Sequence, residues 1–196
     1  MSGRRPNNTL CRRAQRVVCG MFVGALSVVV AGPVLNSSAA ALPRAPRCSA
    51  GALRLKIGGV VVPKTQQTPL LLALVNHGAK TCTLDGYPRI RLENNTSSYP
   101  FVYRDRGDQE VTGRSPRRVT LRPGAVAWVM INKNHCELHS SLGQGRADRL
   151  ELSPPGTSVF LRIALGPDQR MYDYCAAPDP GHYVDVSPVE PSAAAA

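Results

Sequence analysis

Past residue 50 the apolar residues recur with a period of two, in short stretches interrupted by proline and glycine. Ala52-Leu53-Arg54-Leu55-Lys56-Ile57 alternates apolar and basic side chains, the pattern of a strand with one buried face. Residues 69–75 are a near-continuous apolar run of strand length. Residues 87–93 alternate again, with Ile90 and Leu92 inward and Arg89, Arg91 and Glu93 outward. Val119-Thr120-Leu121 is a short strand closed by Arg122-Pro123-Gly124, where proline presets φ and glycine permits a positive φ. Residues 125–131 follow, with Val126, Trp128 and Met130 on one face, and residues 148–152 and 158–165 add two more strands. No amphipathic helix of ten or more residues is visible. Strands of this length with regular turn punctuation predict an all-β fold, an antiparallel Ig-like β-sandwich of about seven to eight strands.

Three stretches depart from the pattern. Residues 94–118 are polar, charged and poor in core residues, and read as a long exposed loop or irregular edge. Residues 179–196 carry Pro180, Pro188, Pro191 and four terminal alanines, and read as a disordered Pro/Ala-rich tail. Residues 1–41 have the order of a secretory signal peptide. Arg4, Arg5, Arg12, Arg13 and Arg16 make a positive head, residues 17–35 are apolar, and Ser37-Ser38-Ala39-Ala40-Ala41 supplies small side chains for cleavage. Cleavage after Ala41 leaves 155 of the 196 residues, enough for one domain with its own core. The expected organisation is a signal peptide over 1–41, a short linker over 42–47, the sandwich over 48–178 and the tail over 179–196. Such a protein is secreted, extracellular or cell-wall associated. The alternative is a membrane anchor through uncleaved residues 17–35, close to the roughly 20 residues of a spanning helix. Gly20, Gly24, Gly32 and Pro33 weaken that helix, and neither Cys19 nor Cys48 is placed for lipidation.

Charge and cysteines narrow the reading. Of the net charge of +11, five arginines depart with the signal, so 19 basic and 13 acidic residues remain, a balance of +6. Nucleic acid is the usual partner of such a balance. Export argues against it, and the basic residues are scattered singly along strands, so attraction to an anionic cell envelope is the reading kept. Cys11 and Cys19 lie in the signal, and the other four, Cys48, Cys82, Cys136 and Cys175, are expected to form two disulfides in an oxidising compartment. If strands 52–57 and 69–75 pair antiparallel, Cys48 and Cys82 lie at the same end. That predicts Cys48–Cys82 and leaves Cys136 with Cys175. No two of the four are two to four residues apart, as zinc sites need.

Cys48-Ser49-Ala50-Gly51-Ala52-Leu53, Leu74-Val75-Asn76, Thr81-Cys82-Thr83-Leu84-Asp85-Gly86-Tyr87-Pro88 and Leu121-Arg122-Pro123-Gly124, with Cys136 beyond, resemble an exported actinobacterial family. That family is known only as a domain of unknown function. The resemblance covers residue 48 to about 175, and the Thr81–Pro88 stretch is its specific part. It implies a β-sandwich with paired cysteines, carried on secreted proteins or lipoproteins, and brings no catalytic or ligand residues.

His135-Cys136-Glu137-Leu138-His139 comes nearest to a ligand cluster. On a helix, His135 and His139 would share a face and could hold copper or zinc weakly. Glu137 stands two residues after the first histidine, unlike the helical zinc peptidases, and the disulfide takes Cys136, so a solvated loop is preferred and no cofactor is expected. No serine sits in a Gly-x-Ser-x-Gly elbow. Tyr99, Phe101 and Tyr103 alternate beside Arg104 and Arg106, with Arg117 and Arg118 further on. They form either an edge strand packed on the sandwich or an aromatic-basic interaction surface for an anionic envelope component. The functional reading is a non-enzymatic exported module that binds a cell-envelope component or an envelope protein. The alternatives are a weak copper- or zinc-binding protein using His135 and His139, and a hydrolase whose site is assembled from distant loops.

Overall fold

The computed structural model describes residues 44–61, 67–94, 98–137, 145–166 and 173–196. The segment read as a signal peptide, 1–41, lies outside the described residues. The alternating stretches form β1 (Leu53–Val60), β2 (Thr68–Asn76), β4 (Arg89–Glu93), β6 (Val119–Leu121), β7 (Val126–Lys133), β8 (Arg149–Ser153) and β9 (Leu161–Ala164). Three further strands, β3 (Cys82–Leu84), β5 (Val102–Arg104) and β10 (Tyr183–Val186), make ten among the described residues. The fold is all-β, and the helical turns among the described residues are short 3-10 turns. One sheet has the order β1-β2-β7-β10-β5, a second the order β4-β8-β9, and β3 pairs with β6 alone. Every strand pairing is antiparallel except β10 with β5, which is parallel.

All three sheets feed one core. Leu55, Leu72, Leu74, Val129, Ile131, Val184 and Val186 come from the large sheet, Ile90, Leu92, Leu150 and Leu152 from the second, and Leu84 and Leu121 from the ladder. Each fully buried leucine contributes about 1.5–3 kcal/mol. The two disulfides are those the strand order implied. β1 pairs with β2 so that Leu53 stands opposite Asn76, and Cys48–Cys82 closes that end with Cα atoms 4.8 Å apart. Cys136–Cys175 is the second bridge, with Cα atoms 5.8 Å apart.

The centre of the large sheet, β2 and β7, is covered on both faces, which one-sided alternation did not reveal. Ala127, Val129 and Ile131 of β7 line the main core, whereas Met130, with half-buried Trp128 beside it, packs with Leu71, Val111 and Ala196 on the other face. Gly58 permits this, since a Cβ there would fall 2.6 Å from the Trp128 ring.

The segments read as irregular are part of the structure. The tail expected to be disordered supplies β10, and Glu190 exchanges two backbone hydrogen bonds of 2.8 Å with Trp128. Val184, Val186, Val189 and Glu190 are all at most 1% exposed. The domain boundary at 178 is therefore too early. Of the residues taken as a linker, Pro46 is tied down, because Thr83 N donates to Pro46 O. Residues 94–118, expected to be exposed and poor in core, place Tyr99, Phe101 and Val111 in the interior.

Charge holds these segments together. Asp185 of β10 is 1% exposed, and Arg104 reaches it with two hydrogen bonds of 2.8 and 2.6 Å. Arg106 adds a third at 3.1 Å. Arg117 donates at 3.2 and 2.9 Å to one oxygen of Glu190, which is 0% exposed. The polar segment and the polar tail thus satisfy one another, and neither is legible as ordered when read alone. Substituting both Arg104 and Arg106 with Met should cost about 3–5 kcal/mol, because it leaves the Asp185 carboxylate buried without a counter-charge. Arg118→Met, at an exposed residue outside these pairs, should stay within about 0.5 kcal/mol. Denaturant midpoints measure both, and equally small losses would show that Asp185 does not depend on its arginines.

Candidate functional site

The outward face of the second sheet is laid out by its register. Arg91 stands opposite Glu151, which stands opposite Arg162, while Glu93 faces Arg149 and Arg89 faces Ser153. Glu151 is paired with Arg162, and Glu93 with Arg149 at 2.9 Å. Arg89 and Arg91 are left without a carboxylate partner among the described residues. Both lie against one ring: the Arg91 guanidinium is 4.3 Å and that of Arg89 5.5 Å from the centroid of Phe160. Arg89 is steadied by donating to Thr157 O at 2.9 Å.

These side chains line a cavity of about 330 Å³ with Tyr87, Tyr103 and Asp105. Tyr103 is fixed because its hydroxyl accepts a 2.7 Å hydrogen bond from Leu92 N. Burial raises the pKa of that hydroxyl, so it stays protonated. Desolvation also raises the Asp105 carboxyl above its ordinary value. Two guanidinium groups on an aromatic face offer planar, two-pronged donors for carboxylate or phosphate and a surface for a flat apolar group.

The residues singled out from sequence are distributed differently. Tyr99 and Phe101 are buried, packed around Tyr174 with ring centroids 5.5 and 5.1 Å away. They are core and not an interaction surface. Tyr103 lines the cleft, Arg104 and Arg106 serve Asp185, Arg117 serves Glu190, and Arg118 is exposed. His135 is exposed, and His139 lies outside the described residues. Among the described residues Cys136, Cys175 and Asp179 stand close enough to share a metal, but the bridge occupies both sulfurs. Phe160 was missed. The outward arginines of β4 were visible in the alternation, whereas the ring that gathers them comes from the segment before β9 and meets them only through the sheet.

A family model described as "Domain of unknown function (DUF4232)" matches residues 48–190. The chain belongs to this family. The DUF4232 match begins at the first disulfide cysteine and ends at Glu190, so it includes β10 and the carboxylates that hold Arg104, Arg106 and Arg117. The cleft residues, Tyr87 to Phe160, all fall inside it. No curated protein and no solved structure matches the chain.

A second charged group lies within the DUF4232 domain at the end of β7. Lys133 is 3% exposed, and its ammonium donates to Asn134 O at 2.8 Å. Burial pulls its pKa from 10.5 down to about 8, against the opposing pull of Asp173 and Asp179. Between those values the unfolded chain holds a proton that the folded chain has lost, so stability rises with pH. Unfolding free energy should therefore climb between about pH 8 and 10, and Lys133→Met should abolish the climb. Denaturant titration across that range checks it, and a flat profile in the parent protein would contradict a strained, buried ammonium.

Proposed function

We propose that this protein is an exported, non-enzymatic module that binds an anionic component of the cell envelope, with the Arg89–Phe160–Arg91 cleft as its contact point. Export is supported by the signal-like order of residues 1–41 and by two disulfides, which persist in oxidising compartments. Among the described residues no helix is long and apolar enough to cross a membrane. The Thr81–Pro88 motif supports an actinobacterial setting.

One observation carries the binding reading. Among the described residues the neighbouring sheet charges pair off within the fold, whereas Arg89 and Arg91 share an aromatic ring instead of a carboxylate. Two cations held beside each other repel, and that arrangement is relieved when an anion bridges them. The phenyl face and Tyr87 supply area for the apolar side of a sugar ring, while the guanidinium groups take its acidic substituent.

The test uses the purified protein with polygalacturonate, a carboxylate polymer, and polyphosphate, a phosphate polymer. Hydrogen bonds to charged groups contribute about 1.5–3 kcal/mol each, so Arg89→Ala with Arg91→Ala, which removes two of them, should weaken binding roughly a hundredfold or more. The salt dependence should flatten, and thermal stability should change little because both groups are exposed. Unchanged binding in the double variant would remove the cleft from the function. Turnover of peptidoglycan, ester or peptide substrates, abolished by a point substitution, would replace the binding reading with an enzymatic one.

A further inference from the structure

The two disulfides have different surroundings. Cys48 and Cys82 are 2% and 5% exposed, and no donor reaches either sulfur among the described residues. At the other bridge, the Lys133 ammonium stands 3.6 Å from Cys175 Sγ and 3.7 Å from Cys136 Sγ. The placement follows from β7, where alternation turns Lys133 to the side of Val129 and Ile131 and into the interior. Asn134 O accepts one of its three protons. The others face sulfurs that are weak acceptors while they are bonded to each other.

The two cysteines of this bridge are unequally exposed. Cys175 is 0% exposed, whereas Cys136 is partly exposed. Gly181 packs so closely that a Cβ would fall 2.6 Å from Cys175 Sγ, closing that approach. Asp179 is buried but accepts from Glu137 N at 3.1 Å and Gly181 N at 2.7 Å. Asp173 pairs with Arg146 at 2.7 Å, and His182 Nδ1 lies 3.2 Å from Cys175 O. Among the described residues Lys133 is thus the cation in direct contact with both sulfurs.

We propose that Cys136–Cys175 is a thiol-exchange site, at which a low-molecular-weight thiol becomes attached to Cys136 and Cys175 is released as a thiolate beside Lys133. The incoming thiolate forms a sulfur–sulfur bond to Cys136 as the bond to Cys175 breaks, and that bond's electron pair stays on Cys175 Sγ. One thiolate enters and one is produced, and one disulfide becomes one mixed disulfide, so charge and oxidation level balance. The adjacent ammonium lowers the basicity of the departing sulfur, which speeds its departure. The reverse attack of Cys175 on Cys136 expels the small thiol and restores the bridge. The inference is independent of the anion-binding cleft.

The oxidised protein is incubated with glutathione at neutral pH, quenched by alkylation and mapped by peptide mass spectrometry. Glutathione should be found on Cys136 and the alkylating group on Cys175, with this bridge opening about tenfold or more faster than Cys48–Cys82. Lys133→Met should slow the opening about threefold, because a fractional Brønsted dependence of about 0.5 turns one pKa unit on the leaving thiol into about half a decade in rate, and should leave the other bridge unaffected. Equal opening of the two bridges, glutathione on Cys175, no adduct, or an undiminished rate in Lys133→Met would each overturn the proposal. If Lys133→Met does not fold, the regiochemistry and relative rates in the parent protein decide the matter.

Discussion

The structure turns on the Asp185 carboxylate, which β10 carries between β7 and β5 with 1% exposure. A carboxylate in such a place is tolerable only if it is paired and hydrogen-bonded. Arg104 and Arg106 meet that requirement, and in doing so they bring the chain before and after them to the sheet edge. β5 then links two sheets with neighbouring side chains. Arg104 reaches Asp185 in the large sheet, and Tyr103 accepts from Leu92 N in the second. Because Tyr103 also lines the cleft, the pairing that closes the fold positions one wall of the candidate site.

The same logic explains how the centre of the large sheet is covered on its second face. Glu190 sits beside Trp128 through two backbone bonds and draws in Arg117, while Ala196 and Val111 settle over Leu71 and Met130. The apolar gain there is small, since alanine and valine bury little area, and the ion pairs decide where the covering segments lie. The disulfides act differently. Their sequence separations are 34 and 39 residues, so in the chain-entropy model each contributes about 4 kcal/mol by restricting the unfolded chain.

Three cations are held in ways that stability alone does not require. Arg89 and Arg91 share a half-buried ring, and Lys133 is buried against two sulfurs. In the readings proposed above, the first two take an anion from outside, and the third takes a negative charge made within the protein. Both situations differ from Arg149 and Arg162, whose carboxylates lie across the sheet and complete them.

The sequence by itself determined the strands whose alternation records one buried face, such as Ile90 and Leu92 in β4, because that pattern is local and has period two. It also determined Cys48–Cys82, since the ends of two adjacent strands meet whatever surrounds them. Tertiary structure alone decided the fate of residues 94–118 and 179–196. Their polar side chains are buried only because partners about 80 positions away in the chain arrive with the opposite charge, as Arg104 does for Asp185 across 81 residues. It also decided the cleft, because Phe160 meets Arg89 and Arg91 only after β8 has been inserted between β4 and β9. Burial of an apolar side chain is written into its own chemistry, whereas burial of a charge depends on a partner that only the folded chain supplies.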